Sequence, residues 1–454
     1  MIDEKPKTDV KLVVDTILKN QIPLHSSKDL DQLISAIGDS KYVLLGEASH
    51  GTSEFYRWRT AISQRLIKEK GFRFIACEGD WPDCFDANQY IKNHMEDKKA
   101  TDVLIHSFRR WPTWMWANWE VADLLNWMRG YNSHLPTEKQ VGFYGLDVYS
   151  LYESLERMLE FAKESKDPEL EELTQEVFEC FQPYAKQPQK YGRAMLKKFN
   201  EGSCGKKVIK LLTQVREKYK DVMQKAGMND EEKFSAQMNS ACLVGAEKYY
   251  TVMMSSRSGS WNARDDHMAD TLDALMKFHG PDAKCIVWAH NTHIGDARYT
   301  SMADNDMRNL GQIVRQRHKD EGVFLVGFGT REGSVIAGSA WDAPWKIMDV
   351  PTAPEKSWEY LFSQADVTIP NKLLIFSNMK KEERKLFEDV RGHRAIGVVY
   401  NPKQDRYGHW VPTMLGKRYD AFIYLDRTMA LHPLPAEVDL SLQPPITYPW
   451  GIMI

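Results

Sequence analysis

The amino-acid sequence predicts an α/β fold: a mostly parallel central sheet flanked by helices, with a large helical insertion. Three observations carry that expectation. Short runs rich in β-branched and aromatic residues alternate with long stretches of helical periodicity. Several of these runs are apolar at consecutive positions, as strands buried on both faces must be. Between the third and fourth runs, about 130 residues carry lysine, glutamate, methionine and leucine at helical spacing.

Taken in order, the predicted strands are 42–47 (YVLLGE), 72–78 (FRFIACE), 141–147 (VGFYGLD), 284–289 (KCIVWA), 323–329 (VFLVGFG), 372–376 (KLLIF), 395–400 (AIGVVY) and 421–425 (AFIYL). The intervening 148–283 is too long for one crossover, so several helices are expected to pack as a subdomain. Leu155, Met158, Leu159 and Phe161 mark one of them and Leu272, Leu275 and Met276 another. The implied division is 1–147 for the first part of the α/β core, 148–260 for the helical insertion, and 261–454 for the rest of the core and a C-terminal extension. Residues 433–450 are proline-rich and are expected to lie extended over the surface.

Composition narrows the partners. The 454 residues are 43% hydrophobic and 27% charged, which excludes disordered and collagen-like classes. Sixty basic residues against 63 acidic ones leave a net charge of -3. No global field draws in nucleic acid or anionic lipid, so the expected partner is a small molecule. The six cysteines form no CxxC pair, and Cys77 and Cys285 fall in apolar strand runs where a thiol acts as a small hydrophobe. The N-terminal MIDEKPKTDVKLVV lacks the apolar stretch of a secretory signal, and no window approaches the roughly 20 apolar residues of a membrane span. A reducing, cytoplasmic setting is therefore expected, with no membrane partner; oligomeric state is left open.

In an open parallel sheet the loops after the strands converge on the site. Here the first strand ends in GEASHGT (46–52), the second in Glu78, Gly79 and Asp80, the third in Asp147, and the fourth in HNTHIGD (290–296). Four strands thus deliver carboxylates and imidazoles to one edge, where burial and neighbouring charge tune a general base. Glu47 between a strand and His50 suits a carboxylate that orients an imidazole, leaving its other nitrogen for a water proton. Glu47 and Glu78 also fit plain salt bridges to arginine, and His50 fits a hydrogen-bonded turn. Arg59 and Arg264, each on a predicted amphipathic helix, suit either carboxylate partners or oxyanion stabilisers.

His290 and His293 lie three apart, a spacing open to a metal or to a hydrogen-bonded loop. Five of the 14 tryptophans fall in 111–127, including Trp114 and Trp116, as core or as the wall of an apolar cleft. His409 and Tyr407 in DRYGHW are open to site or surface. No GxSxG elbow, phosphate-binding GxxxxGK[ST] loop or GxGxxG fingerprint is present between strand and helix, which removes support for serine-hydrolase and nucleotide chemistry.

Together, LLGEASHGTSEFYRWR, ACEGDWPD, RDDHMAD and WAHNTHIGD make the chain resemble the erythromycin esterase family, over most of its length. The resemblance implies a sheet-based core related to haem- and iron-handling proteins, and hydrolysis of a macrolide lactone by histidine-activated water. Carried onto this sequence, it makes His50 the base, Glu47 and Glu78 its carboxylate partners, and Arg59 and His290 further catalytic residues. Arg264, His293, Asp80, Trp114 and Trp116 are the expected substrate contacts. No cofactor is expected, with a divalent metal as the alternative. The competing readings are a non-catalytic haem, metal or glycan binder and a metal-assisted hydrolase of another substrate.

Overall fold

The computed structural model describes residues 8–95, 97–184, 187–197, 203–218 and 229–435. Its strands are β1 Ile22–Pro23, β2 Tyr42–Leu45, β3 Phe74–Asp80, β4 Gly142–Asp147, β5 Cys285–Trp288, β6 Val323–Gly338, β7 Trp345–Val350, β8 Asn371–Ile375, β9 Val390–Arg394, β10 Trp410–Met414 and β11 Ala421–Thr428. Six of them run parallel in the order β11-β6-β2-β5-β3-β4. Antiparallel β8 and β1 complete one edge, β7 folds back on the far half of β6, and β9 and β10 form a separate ribbon.

The sheet is mostly parallel because long helical connections return each strand to the same direction. Alternation along the central strands explains its two buried faces. Val43, Leu45, Ile75, Cys77, Ile286 and Trp288 join one core with Phe55, Ile62 and Leu66 of the helix Ser53–Lys70. Tyr42, Leu44, Phe74, Ala76, Cys285 and Val287 join the other with Met268, Leu272 and Leu275 of the helix Arg257–His279.

Register aligns the strand ends. Leu45 pairs with both Trp288 and Val326, and a shift in register between Cys77 and Asp80 brings Asp80 opposite Asp147. Glu47, Glu78, Asp147 and His290 consequently emerge along one edge of the sheet.

The insertion has its own core. Helices Leu151–Ser165, Pro168–Phe181, Pro188–Lys197, Gly205–Lys218 and Asp230–Val252 bury Leu155, Met158, Val177, Leu211 and Leu243 together. Asn229 and Glu232 form a capping box that starts the last of these helices. Cys180 and Cys204 are joined by a disulfide within the insertion, where the expected reducing setting implied free thiols; Cys77, Cys84, Cys242 and Cys285 are free and buried.

Two further expectations are corrected. Segment 395–400 is no strand: it crosses the end of the sheet, touching it by isolated bridges from Ile396 to Ser49 and from Val399 to Gly338. Its apolar pattern reflects burial over the strand ends, where Ile396 and Tyr400 pack with Val335 and Ala337. Strand β6 in turn runs on to Gly338 through half-buried 331–334, and its hairpin partner β7 is mostly exposed. Of the proline-rich tail, Pro433 bridges to Asn118, while the part from 436 onward lies outside the described residues. Among the described residues no helix is long and apolar enough to cross a membrane.

Candidate functional site

The loop after β2 carries His50. Close packing dictates its glycines: a Cβ on Gly46 would collide with the Asn291 side chain, and one on Gly51 with the backbone oxygen of Ile336. The turn so formed points His50 back at Glu47, whose Oε1 lies 2.9 Å from His50 Nδ1. Arg59, on the helix that follows, donates from Nη2 to Glu47 Oε2 at 2.6 Å. Its guanidinium is sandwiched between the rings of Tyr56 and Trp288, 4.4 and 4.6 Å from their centroids. A carboxylate facing Nδ1 favours the tautomer in which that nitrogen donates, which leaves Nε2 as the acceptor.

A second cluster forms behind the ends of β3, β4 and β5. Arg264 donates to Glu78 Oε1 at 2.6 Å and forks onto Asp147 through Nε and Nη2 at 2.9 and 2.6 Å. The backbone N–H of His290 donates to Glu78 Oε2 at 2.8 Å. Burial alone would raise the Glu78 carboxyl, but His293, Arg264 and His50 outweigh it and hold it well below the usual carboxylate range.

His293 is fixed on every side. Arg264 Nη1 donates toward its Nε2 at 3.1 Å, its Nδ1–H donates to Asp265 at 2.9 Å, and its ring stacks on Trp261 at 4.5 Å. Burial pushes the Asp265 carboxyl up, against the pull of His293 and Arg264. His290, with its ring centroid 4.9 Å from that of His50, is pushed well below the ordinary histidine value by burial and by the His50 charge.

A cleft opens onto these groups. His50, Glu78, Asp80, Asp147, Arg110 and Arg264 supply its polar lining. Phe108, Trp111, Trp116, Tyr149 and Trp341 supply its aromatic lining. Of the residues singled out in the sequence, His50, Glu78, Asp80, Arg264 and Trp116 therefore line the cleft. Glu47 and Arg59 stand behind His50, and His290 and His293 behind Glu78 and Arg264.

Trp114 is placed differently from the expectation. It is 1% exposed, sits in the core and does not line the cleft, whereas Trp116 reaches it while donating from Nε1 to the Glu78 carbonyl at 3.1 Å. His409 packs against Tyr400, 4.9 Å away, and Tyr407 is 82% exposed, so neither lines the cleft. Asp147, Arg110, Tyr149 and Trp341 join the site without having been assigned to it. Asp147 was visible as a carboxylate ending a strand; Trp341 comes from the β6–β7 connection, which carries no sequence signal.

His290 and His293 do not converge as ligands: His290 Nδ1 lies 2.8 Å from Thr292 Oγ1, and His293 faces Asp265 and Arg264. Among the described residues no group of three or more His, Cys, Asp and Glu side chains is placed to hold a metal ion. Both oxygens of Glu47 and both of Glu78 already accept hydrogen bonds, and Arg264 fills the space between Glu78 and Asp147 with positive charge. These donors do not fit a cation, and the chemistry below is derived without one.

The erythromycin esterase family profile matches residues 67–428. The Bacillus subtilis (strain 168) protein named "Putative hydrolase YbfO" is 21% identical over 421 residues, covering 88% of this chain and 86% of that one. Among solved structures, a succinoglycan biosynthesis protein superposes with a TM-score of 0.74 at 20% identity, covering 94% of this chain and 100% of the other. The open conformation of a mutant erythromycin esterase, EreC, superposes with a TM-score of 0.65 at 15% identity, covering 96% and 100%. These structures share the fold, while the profile match over most of the length settles the family. The chain belongs to the erythromycin esterase family.

Proposed function

We propose that the protein cleaves an ester or lactone by water addition, with His50 as general base and a macrolide lactone as the leading candidate substrate. The observation that carries this reading is the buried chain Arg59–Glu47–His50, which ends in the cleft. Glu47 sets the tautomer, so Nε2 takes a proton from water as the oxygen adds to the carbonyl carbon. The tetrahedral intermediate carries its charge on the former carbonyl oxygen. Arg264 has five N–H groups and spends four on Asp147, Glu78 and His293, leaving one on Nη1 for that oxyanion. Collapse expels the alcohol oxygen, which recovers the proton from His50. The aromatic wall suits a large, mostly apolar acyl group.

The test is mass spectrometry of erythromycin, and of a panel of simple esters and lactones, incubated with wild-type protein and with His50→Ala. The expected result is gain of one water with the wild type alone. Turnover by a folded His50→Ala protein overturns the assignment of the base. A wild type that opens esters but leaves erythromycin intact moves the substrate and keeps the mechanism.

A further inference from the structure

Asp80 occupies an unusual position. It ends β3 and is the N-cap residue of the helix Trp81–Ile91, where an aspartate oxygen ordinarily accepts a backbone N–H of the first turn. Here the side chain makes no cap bond, and Pro82 has removed one of the two donors a cap would use. Asp80 Oδ2 pairs with Arg110 instead. Oδ1 is buried and has no hydrogen-bond partner among the described residues, in a side chain that is 5% exposed and lines the cleft. An orphaned carboxylate oxygen is costly to keep unless a ligand supplies the missing donor.

The surroundings define that donor. Arg110 already balances the Asp80 charge, and its guanidinium lies over the Tyr149 ring, 5.5 Å from the centroid. Asp83, on the same wall, is pushed upward by burial and by Glu153 and Asp86, against the pull of Arg157 and Arg109. A second cation has no net charge to meet there, which leaves a neutral hydroxyl. Trp111, Trp116 and Trp341 line the same cleft, and indoles of this kind suit the C–H surface of a saturated ring. We propose that Asp80 Oδ1 accepts a hydrogen bond from a ring hydroxyl of the substrate, making Asp80 the residue that selects hydroxylated ring lactones or esters. This rests on reading the cleft as the hydrolytic site.

Binding separates the two readings. Erythromycin and a set of its methyl ethers, each with one hydroxyl capped, are titrated calorimetrically into His50→Ala protein and into the His50→Ala/Asp80→Asn double variant. Asp80→Ser is made in parallel in case the amide does not fold, and melting curves confirm folding. The expected result is one ether that binds His50→Ala at least about tenfold more weakly than erythromycin, a penalty that falls to about threefold or less without the carboxylate. An unchanged penalty profile in the folded double variant overturns the assignment. So does failure of erythromycin to bind His50→Ala protein, since a hydroxylated ring lactone is then not what the cleft holds. Selective binding without wild-type turnover leaves Asp80 in place and removes the hydrolase reading alone.

Discussion

Arg264 donates to Glu78 at 2.6 Å although 186 residues separate them in the chain. One guanidinium, fixed on the helix Arg257–His279, thereby ties the end of β3 to the end of β4 through Asp147. Removing it takes from Asp147 the guanidinium it is forked to and from Glu78 one of the groups that hold it charged. Arg264→Met is expected to lower unfolding free energy by about 3–5 kcal/mol in urea titrations. Arg264→Lys is expected to recover part of that stability and little activity, because an ammonium cannot reproduce the fork. A methionine variant as stable as wild type would show that the guanidinium is not needed to hold these strand ends.

Glu47→Gln separates charge from shape. The amide keeps the volume but no longer compels His50 Nδ1 to be the donor, and it leaves Arg59 buried beside a neutral group. Turnover is expected to fall by about 100-fold or more with a smaller change in KM. Steady-state kinetics on an ester substrate check this; an unchanged kcat would remove Glu47 from the mechanism.

Two tryptophans from the aromatic set should respond in opposite ways. Trp341→Ala strips one wall of the cleft from a partly exposed connection and is expected to raise KM about tenfold while leaving the melting temperature near wild type. Trp114→Ala opens a cavity in the core and is expected to cost about 3–5 kcal/mol. Parallel melting and kinetic measurements distinguish them, and matching profiles would contradict the placement of either ring.

Acid should destabilise the protein through His267. Burial pulls this imidazole down to about 4, so the folded state disfavours its proton. An unfolded histidine titrates near 6.5, hence the stabilisation is complete above about pH 6.5 and is lost as pH falls from there towards 4. The His267 share of the loss is expected to reach about 3 kcal/mol and to be absent from His267→Gln, while His279, His290, His393 and His409, also pulled down by burial, add their own in both proteins. Urea midpoints from pH 7 to pH 4 test it: parallel curves for the two proteins would refute the assignment. Glu78, held below its ordinary range, adds its own loss only at more acid pH.

Much of the fold was legible because central parallel strands must be apolar on both faces, and 42–47, 72–78 and 284–289 carry that pattern without interruption. The same rule misassigned 395–400, since a segment crossing the strand ends is buried as deeply as a strand. Strands β7, β9 and β10 were missed because polar residues or proline interrupt each within five or six positions, as in WKIMDV, VRGHR and WVPTM, so none carries the unbroken apolar run of a doubly buried strand.

The sequence by itself determined which chemical groups follow which strand: Glu47 and His50 after one, Glu78 and Asp80 after another, His290 and His293 after a third. Spacing along a chain sets such local neighbours, because a short loop has few conformations. Only the tertiary structure decided which groups meet, placing Arg59 on Glu47, Arg264 on Glu78 and Asp147, and Trp116 rather than Trp114 at the cleft. Those partnerships depend on strand order, helix rotation and register. These follow from burying two sheet faces at once, and no single segment carries that information.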